Sequence, residues 1–364
     1  GENPNKHYTF IVHNFYAGGG GLEHLNSTVL GATRTSYTDE KKYKGFLELV
    51  AHEYYHLWNV KRLRPVALGP FDYEQENYTT NLWVAEGFTA YYENKIMLRA
   101  GFYTAQETVQ KLADAISVVI NTPGSRIQSA SESSYDAWIK YYRPNENSSN
   151  ATISYYNKGE IIGLLMDLEI ANATKGAKNL DDVMRAMYDE YYKKKARGYT
   201  DAEFKAMAEK ISGISFSDFW DKYINGTGLV EYEKYFGYAG IVVKDLFKGN
   251  DTPYLGAASK KVEGSVIISV VTRGSAAWTA GLNVNDEVIS IDGIPVEASI
   301  DRMPVITSKK VGDEALFLLK RDGMIKSISV KLKANPNVKL EATVDTEAPA
   351  TKAGILKGWL GNKS

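Results

Sequence analysis

Residues 48–61 read ELVAHEYYHLWNVK, and this stretch decides the fold. Phe46, Leu47, Leu49, Val50, Tyr54 and Leu57 recur at helical spacing and predict a helix over 38–60, closed by Arg64-Pro65 and Gly69-Pro70. On a helix, His52 and His56 stand one turn apart on one face and can offer two imidazole nitrogens to one ion. Glu53 is turned away by about 100° and can reach a water on that ion rather than the ion itself. A catalytic zinc takes three protein ligands and keeps a fourth position for water. The alternative is an ordinary helix on which His, Glu and His meet by chance.

A third ligand separates these readings. All five histidines (His7, His13, His24, His52, His56) lie at or before position 56, so a further ligand downstream is a carboxylate. Glu86 in LWVAEGFTAYYE (82–93) is the candidate: it opens an aromatic, helix-forming segment with apolar surroundings. A lone Glu there would otherwise only complement the helix dipole.

Outward from this centre, residues 8–16 (YTFIVHNFY) read as a strand, and GGGG at 18–21 leads into a second extended stretch. Segments 82–101, 104–120, 158–172, 179–194, 200–213 and 215–226 read as helices, with Thr200 and Glu203 forming a capping box. After about residue 240 the texture changes to short β-rich runs at 266–271, 286–291, 315–321 and 327–332, broken by Asp292-Gly293 and Asp322-Gly323. Pro and Ala-Pro breaks in 335–364 predict a loosely attached tail.

The composition narrows the function. With 44% hydrophobic and 24% charged residues the 364-residue chain is globular. A formal net charge of −1 gives no field toward nucleic acid. The absence of cysteine excludes disulfides, thiol catalysis and cysteine-held zinc. No apolar run approaches the ~18 residues of a membrane-spanning helix. The start, GENPNKHYTF, carries no signal-peptide pattern and suggests a chain cut from something longer; the compartment stays open between periplasm and cytoplasm.

The four glycines are no phosphate loop, since no Lys-Ser/Thr and helix follow. Beside a strand, Gly20 and Gly21 fit an edge that hydrogen-bonds an extended peptide, or else a flexible turn with a solvated Glu23. Asn59, Lys61, Arg62 and Arg64 follow the His helix. Lys61 and Arg64 read best as pairing with acidic surface neighbours, while Arg62 is open between that and substrate binding.

HExxH followed by W-x-x-E-G-F resembles the glutamate-zincin metallopeptidases. The 29 residues between His56 and Glu86 (57–85) exceed the spacing of their common aminopeptidase branch. HEYYHLWNVKRLRP (52–65) and LWVAEGFTAYYE (82–93) are instead similar to the glycyl aminopeptidase family, whose members also carry a PDZ domain. The resemblance implies an α+β fold: a thermolysin-like, mainly helical catalytic domain with an N-terminal β portion (1–240), a β-rich PDZ domain (245–334) and the tail (335–364). It implies that the relatives' further N-terminal β domain is missing here. It implies one Zn2+ held by His52, His56 and Glu86, Glu53 as general base, and Glu23 as the carboxylate that takes the substrate's free amine, with His24 in place of the usual Asn. By the same resemblance Tyr156 of Tyr156-Asn157-Lys158-Gly159 stabilises the oxyanion, with Tyr155 as the register alternative. The implied reaction is removal of a small first residue, Gly or Ala, from peptides. The alternatives are a metallo-endopeptidase and a peptide-binding module with a vestigial metal site. SSYDAWIKYYRPNEN (133–147) matches a family segment and would help close the cleft. GSAAWTAGLNVNDEVISIDGIPV (274–296) resembles a PDZ core, with Pro253-Tyr254-Leu255-Gly256 as the loop for a peptide's C-terminal carboxylate. The alternative is a spacer that binds nothing.

Overall fold

The computed structural model describes residues 2–297 and 299–361; Gly1 and 362–364, at the ends of the expected first and last segments, lie outside the described residues. Three strands open the chain: β1 (Thr9–Phe15), β2 (Gly21–Glu23) and β3 (Ser27–Thr33). Their order is β1-β3-β2, with β1 parallel and β2 antiparallel to β3, so β2 is an edge strand. Helix α1 (Glu40–Tyr55) follows, its first turn capped by Asp39, whose carboxylate accepts from Lys42 N.

The helix stops five residues short of the expected Val60. His56 is its C-cap, and the chain then turns tightly: Lys61 N donates to His56 O, Leu63 N to Trp58 O and Val60 N to Leu63 O. Val60 sits at φ 113°, where a β-branched residue is strained.

A π-helical turn at Trp83–Gly87 runs directly into α2 (Phe88–Arg99). Next come α3 (Ala105–Asn121), α4 (Ala130–Tyr135), α5 (Ser148–Ala151), α6 (Tyr155–Ala173), α7 (Leu180–Met187), α8 (Asp201–Ser212), α9 (Ser217–Phe219) and α10 (Tyr232–Tyr238). Thr200 and Glu203 form the expected capping box on α8. Helix α6 is the axis of this layer, and its residues Ile161 to Ile170 are almost wholly buried. Gly87 and Gly159 let α6 press on the π turn: a Cβ on Gly87 would lie 2.4 Å from Gly159 Cα.

The chain leaves the helical layer by β4 (Ile241–Asp245) and builds a second core. β5 (Pro253–Tyr254), β6 (Ala257–Val262), β7 (Ser265–Val271), α11 (Ala276–Ala280), β8 (Glu287–Ile291), β9 (Ile294–Pro295), α12 (Pro304–Thr307), β10 (Glu314–Arg321), β11 (Met324–Lys331) and β12 (Lys333–Ala334) make it. Its main sheet runs β11-β10-β8-β7-β6; β7, β8, β10 and β11 fall on the four expected β-rich runs and β6 is additional, with Ile268, Ile291, Phe317 and Leu319 fully buried between sheet and helices.

The chain then returns, and here the expected loose tail is corrected. β13 (Leu340–Val344) pairs antiparallel with β4 over five residues, from Leu340↔Asp245 to Val344↔Ile241. Its other edge is satisfied by glutamines of α3: Gln106 Nε2 donates to Ala342 O and Gln110 Nε2 to Leu340 O, while their carbonyls accept from Val344 N and Ala342 N. Helix α13 (Ala350–Leu360) buries Trp359 completely and donates its indole N–H to Tyr91 OH at 2.6 Å. The Lys- and Thr-rich composition concealed a docked end because its buried apolar side chains, Leu340, Ala342, Ile355, Trp359 and Leu360, are scattered among polar ones. The β-rich unit is therefore inserted between two strands of the helical unit.

Candidate metal centre

Three elements converge on one point. α1 and its C-cap bring His52 and His56, the π turn brings Glu86, and β2 lies across them. His52 Nε2 is 3.4 Å and His56 Nε2 is 3.2 Å from Glu86 Oε2. The second ring nitrogens are already engaged: His52 Nδ1 with Glu93 Oε2 at 2.8 Å, and His56 Nδ1 with the carbonyl of Asn59 at 2.9 Å. A carbonyl only accepts, so His56 Nδ1 carries a proton and Nε2 is the nitrogen turned toward Glu86. Asn59 is fixed in turn, its Nδ2 donating to Val84 O, Ala85 O and Thr89 Oγ1. The post-helix turn thus ties the histidine-bearing helix to the turn that carries Glu86.

Electrostatics follow from this packing. Burial disfavours the charged form of His52, but Glu86 and Glu93 outweigh it and push the imidazole up to about 10. Burial alone would raise Glu86, yet the two imidazoles hold its carboxyl far below the usual range. Burial raises Glu53 to about 7, with His56 and His52 opposing and Glu23 and Glu86 adding.

Glu53 is 5% exposed and its Oε2 has no hydrogen-bond partner. Glu23 joins it: one donor atom from each of Glu23, Glu53 and His56 lie within 4.8 Å of one another. Gly21 explains part of the glycine run, since a Cβ there would stand 2.4 Å from Glu53 Oε1 and 2.5 Å from its Cγ. Gly20 takes φ +81°, in the region that favours glycine. Glu23 is paired to Lys61, Nζ to Oε1 3.1 Å. Lys61's partner is thus a carboxylate of the cleft rather than a surface acid. Arg62 reaches neither substrate space nor an acid; it donates to Leu57 O, Leu25 O and Asn5 Oδ1. Arg64's guanidinium packs against Gly69.

Tyr156 stacks on His52, ring centroids 6.2 Å apart. Tyr155 points into the core, 1% exposed, and its hydroxyl donates to Tyr142. Burial and then the Glu86 charge keep the Tyr156 phenol protonated well above its ordinary range, so it remains an O–H donor. Lys158 pins the loops beneath through Ser125 O, Gln128 O and Gly226 O. The segment 133–147 flanks this group, with Tyr141 5.8 Å from Tyr156.

Sequence reasoning missed Glu93 and Asn59 as the groups that orient the two imidazoles. Glu93 was discoverable: it lies seven residues, two helical turns, after Glu86 and so on the same face. In the β-rich unit, β6 is the outer strand of its sheet and Gly256 takes φ +71° beside it, where a side chain would collide with Ser275. Asn150 of α5 fastens this unit, donating to Val271 O at 2.7 Å and accepting from Arg273 N at 2.8 Å.

Parts of this chain match two known protein families. The family described as M61 glycyl aminopeptidase matches residues 45–162, which contain His52, Glu53, His56, Glu86 and Tyr156. The PDZ domain family matches residues 253–332. A crystal structure of an aminopeptidase N family protein from Idiomarina loihiensis superposes with a TM-score of 0.86 and 28% identity, covering 99% of this chain and 63% of that one. The chain is also 26% identical over 122 residues to a probable periplasmic serine endoprotease, DegP-like, from Pseudomonas putida, covering 34% of this chain and 25% of that protein. The chain thus spans less than two thirds of the length of either relative. Part of its helical unit thus matches the M61 glycyl aminopeptidase family, and the unit inserted between β4 and β13 matches the PDZ domain family.

Proposed function

We propose that this chain is a zinc-dependent aminopeptidase that hydrolyses the first peptide bond of peptides, preferring Gly or Ala at the first position. The observation that carries the reading is the convergence of the Nε2 atoms of His52 and His56 on a Glu86 oxygen, beside the buried, unpartnered Oε2 of Glu53. This donor set fits zinc: two imidazoles and a carboxylate, each imidazole oriented from behind. His52, His56 and Glu86 would hold the ion through those atoms. When bound, zinc supplies Lewis acidity and brings the pKa of a water toward neutrality.

Glu53 takes a proton from the water as its oxygen bonds to the scissile carbonyl carbon. Tyr156 donates its O–H to the oxygen on which charge builds. As the C–N bond breaks, Glu53 returns the proton to the leaving amine. Glu23 accepts from the free α-ammonium and fixes the bond to be cut as the first one, while β2, held open by Gly20 and Gly21, offers its edge to the peptide backbone. The preference for a small first residue rests on the family resemblance alone. The inserted PDZ domain adds a surface for a peptide C-terminus at β6 and Gly256. No described helix is long and apolar enough to cross a membrane.

The test is hydrolysis of Gly- and Ala-anilides beside N-blocked peptides, with metal analysis. Glu53→Gln should keep the metal and lose about 100-fold or more in kcat. Unchanged activity in this variant, or cleavage of blocked peptides only, would reject the assignment. One observation favours an endopeptidase as the second reading: the carboxylate that should receive the amine is already paired, to Lys61.

A further inference from the structure

We propose that Lys61 is a specificity-determining residue: its ammonium occupies the Glu23 carboxylate in place of a substrate amine and thereby sets how strictly the site demands a free N-terminus. This rests on the reading of Glu23 as the amine anchor.

The geometry places Lys61 there by construction. It lies in the turn that also supplies the orienting carbonyl for His56, and its own N–H bonds His56 O. The preceding residue, Val60, is held at φ 113°, and such strain persists only where the surroundings impose it. They do so here through the Asn59 bonds to the π turn on one side and the buried Arg62 bonds to Leu57 and Leu25 on the other. The side chain then spans to β2, where Nζ meets Glu23 Oε1 at 3.1 Å. Both ends are largely withdrawn from water, with side chains 25% and 17% exposed. Glu23 in turn stands beside Glu53, a like charge.

Without Lys61, Glu23 would be a partly buried carboxylate facing another carboxylate with no counter-charge of its own. A substrate bearing an α-ammonium would supply that charge. An N-blocked peptide would not, and would leave Glu23 desolvated and unpaired, which is the costly state for a buried charge. Lys61 removes this difference. With it present, a blocked substrate leaves Glu23 satisfied, and a free amine must share a carboxylate with a second cation. Lys61 therefore blunts the discrimination that Glu23 provides.

The experiment measures kcat/KM for a Gly-anilide and for its N-acetyl counterpart in the wild type, Lys61→Met, Lys61→Arg and Glu23→Gln proteins. In parallel, calorimetry measures the binding of glycinamide and N-acetylglycinamide to the metal-free proteins. Lys61→Met should raise the free-to-blocked ratio by about tenfold in both measurements. Lys61→Arg, which keeps the charge, should stay within about threefold of the wild type. A ratio that is unchanged or lower in Lys61→Met overturns the proposal, as does an equal loss on both substrates, which marks a purely structural lysine. If Lys61→Met misfolds, the calorimetric ratio in a Lys61→Gln variant decides in its place, with Lys61→Arg as the charge-keeping control. Glu23→Gln keeps the two failures apart. If it leaves the ratio unmoved, the amine-anchor reading falls. If it abolishes the preference while Lys61→Met changes nothing, only the role of Lys61 falls.

Discussion

Gly21→Ala tests Glu53, the proposed general base, without replacing it. The substitution adds one methyl to edge strand β2, at a position whose backbone is not left-handed and therefore tolerates alanine. That methyl would stand 2.4 Å from Glu53 Oε1, 2.5 Å from Cδ and 2.5 Å from Cγ. Ordinary contact begins at about 3.4 Å, so the carboxylate must move by roughly 1 Å, and because Cγ is included the whole side chain has to turn. A 1 Å misplacement of a reacting group costs on the order of 100-fold in rate. Folding should barely change, since Ala is no worse than Gly in a strand and the displaced atoms face a cleft. The expected result is a kcat about 100-fold lower, metal content equal to the wild type and a melting temperature within about 2 °C. The assay is steady-state hydrolysis of a Gly-anilide with metal analysis and thermal unfolding on the same preparation. Activity within threefold of the wild type would refute the reasoning, because Glu53 would then be either free to move without consequence or not the base.

Other outcomes can be checked beside it. Tyr156→Phe should lower kcat by about 100-fold or more with little change in KM, whereas Tyr155→Phe should act mainly on stability; a reversal in rate assays would move the oxyanion donor to Tyr155. Trp359→Ala empties a fully buried site and removes the donor to Tyr91, costing about 3–5 kcal/mol; calorimetry should show a fall of roughly 6 °C or more, and an unchanged melting point would make the C-terminal helix peripheral. Burial and the neighbouring Glu93 raise Glu160 to about 8, so the folded state holds its proton through a range where the unfolded chain has released it. Its contribution is intact below the ordinary carboxyl pKa and is lost as pH rises from about 4.5 to 8. Glu160→Gln should therefore raise the melting temperature at pH 8 relative to pH 5, and a parallel pH profile in the two proteins would contradict this.

What could be read from the sequence is what local spacing encodes. His52 and His56 are neighbours by helical geometry alone, and the capping box at Thr200 and Glu203 is a four-residue pattern. Tyr156 is singled out only through the family resemblance of Tyr-x-Lys-Gly, and the structure shows how that segment is held: Lys158 fastens three carbonyls and Gly159 permits contact with the π turn. The missing parts depend on partners far apart in the chain. No spacing rule relates Gly21 to Glu53 or Lys61 to Glu23. Nor does any relate Ile241 to Val344, 103 residues on, and the intervening PDZ domain made the last segment look like an appendage. Its anchoring side chains, Gln106 and Gln110, are ordinary exposed-type residues whose task appears only when a strand edge lies against them.

The insertion of the PDZ domain between paired strands has a mechanical consequence. Asp245 and Leu340 are register partners, so both ends of the module attach at one point on the helical unit. A pull on the module would load the β4–β13 pair from its end and open it one hydrogen bond at a time, the weakest direction in which to stress an antiparallel pair. The same point attachment makes the module a cassette: a two-residue turn joining Asp245 to Leu340 would close the strand pair as a hairpin. A chain shortened in this way keeps every residue of the candidate metal centre and tests whether the proposed peptide trimming and peptide holding are separable tasks.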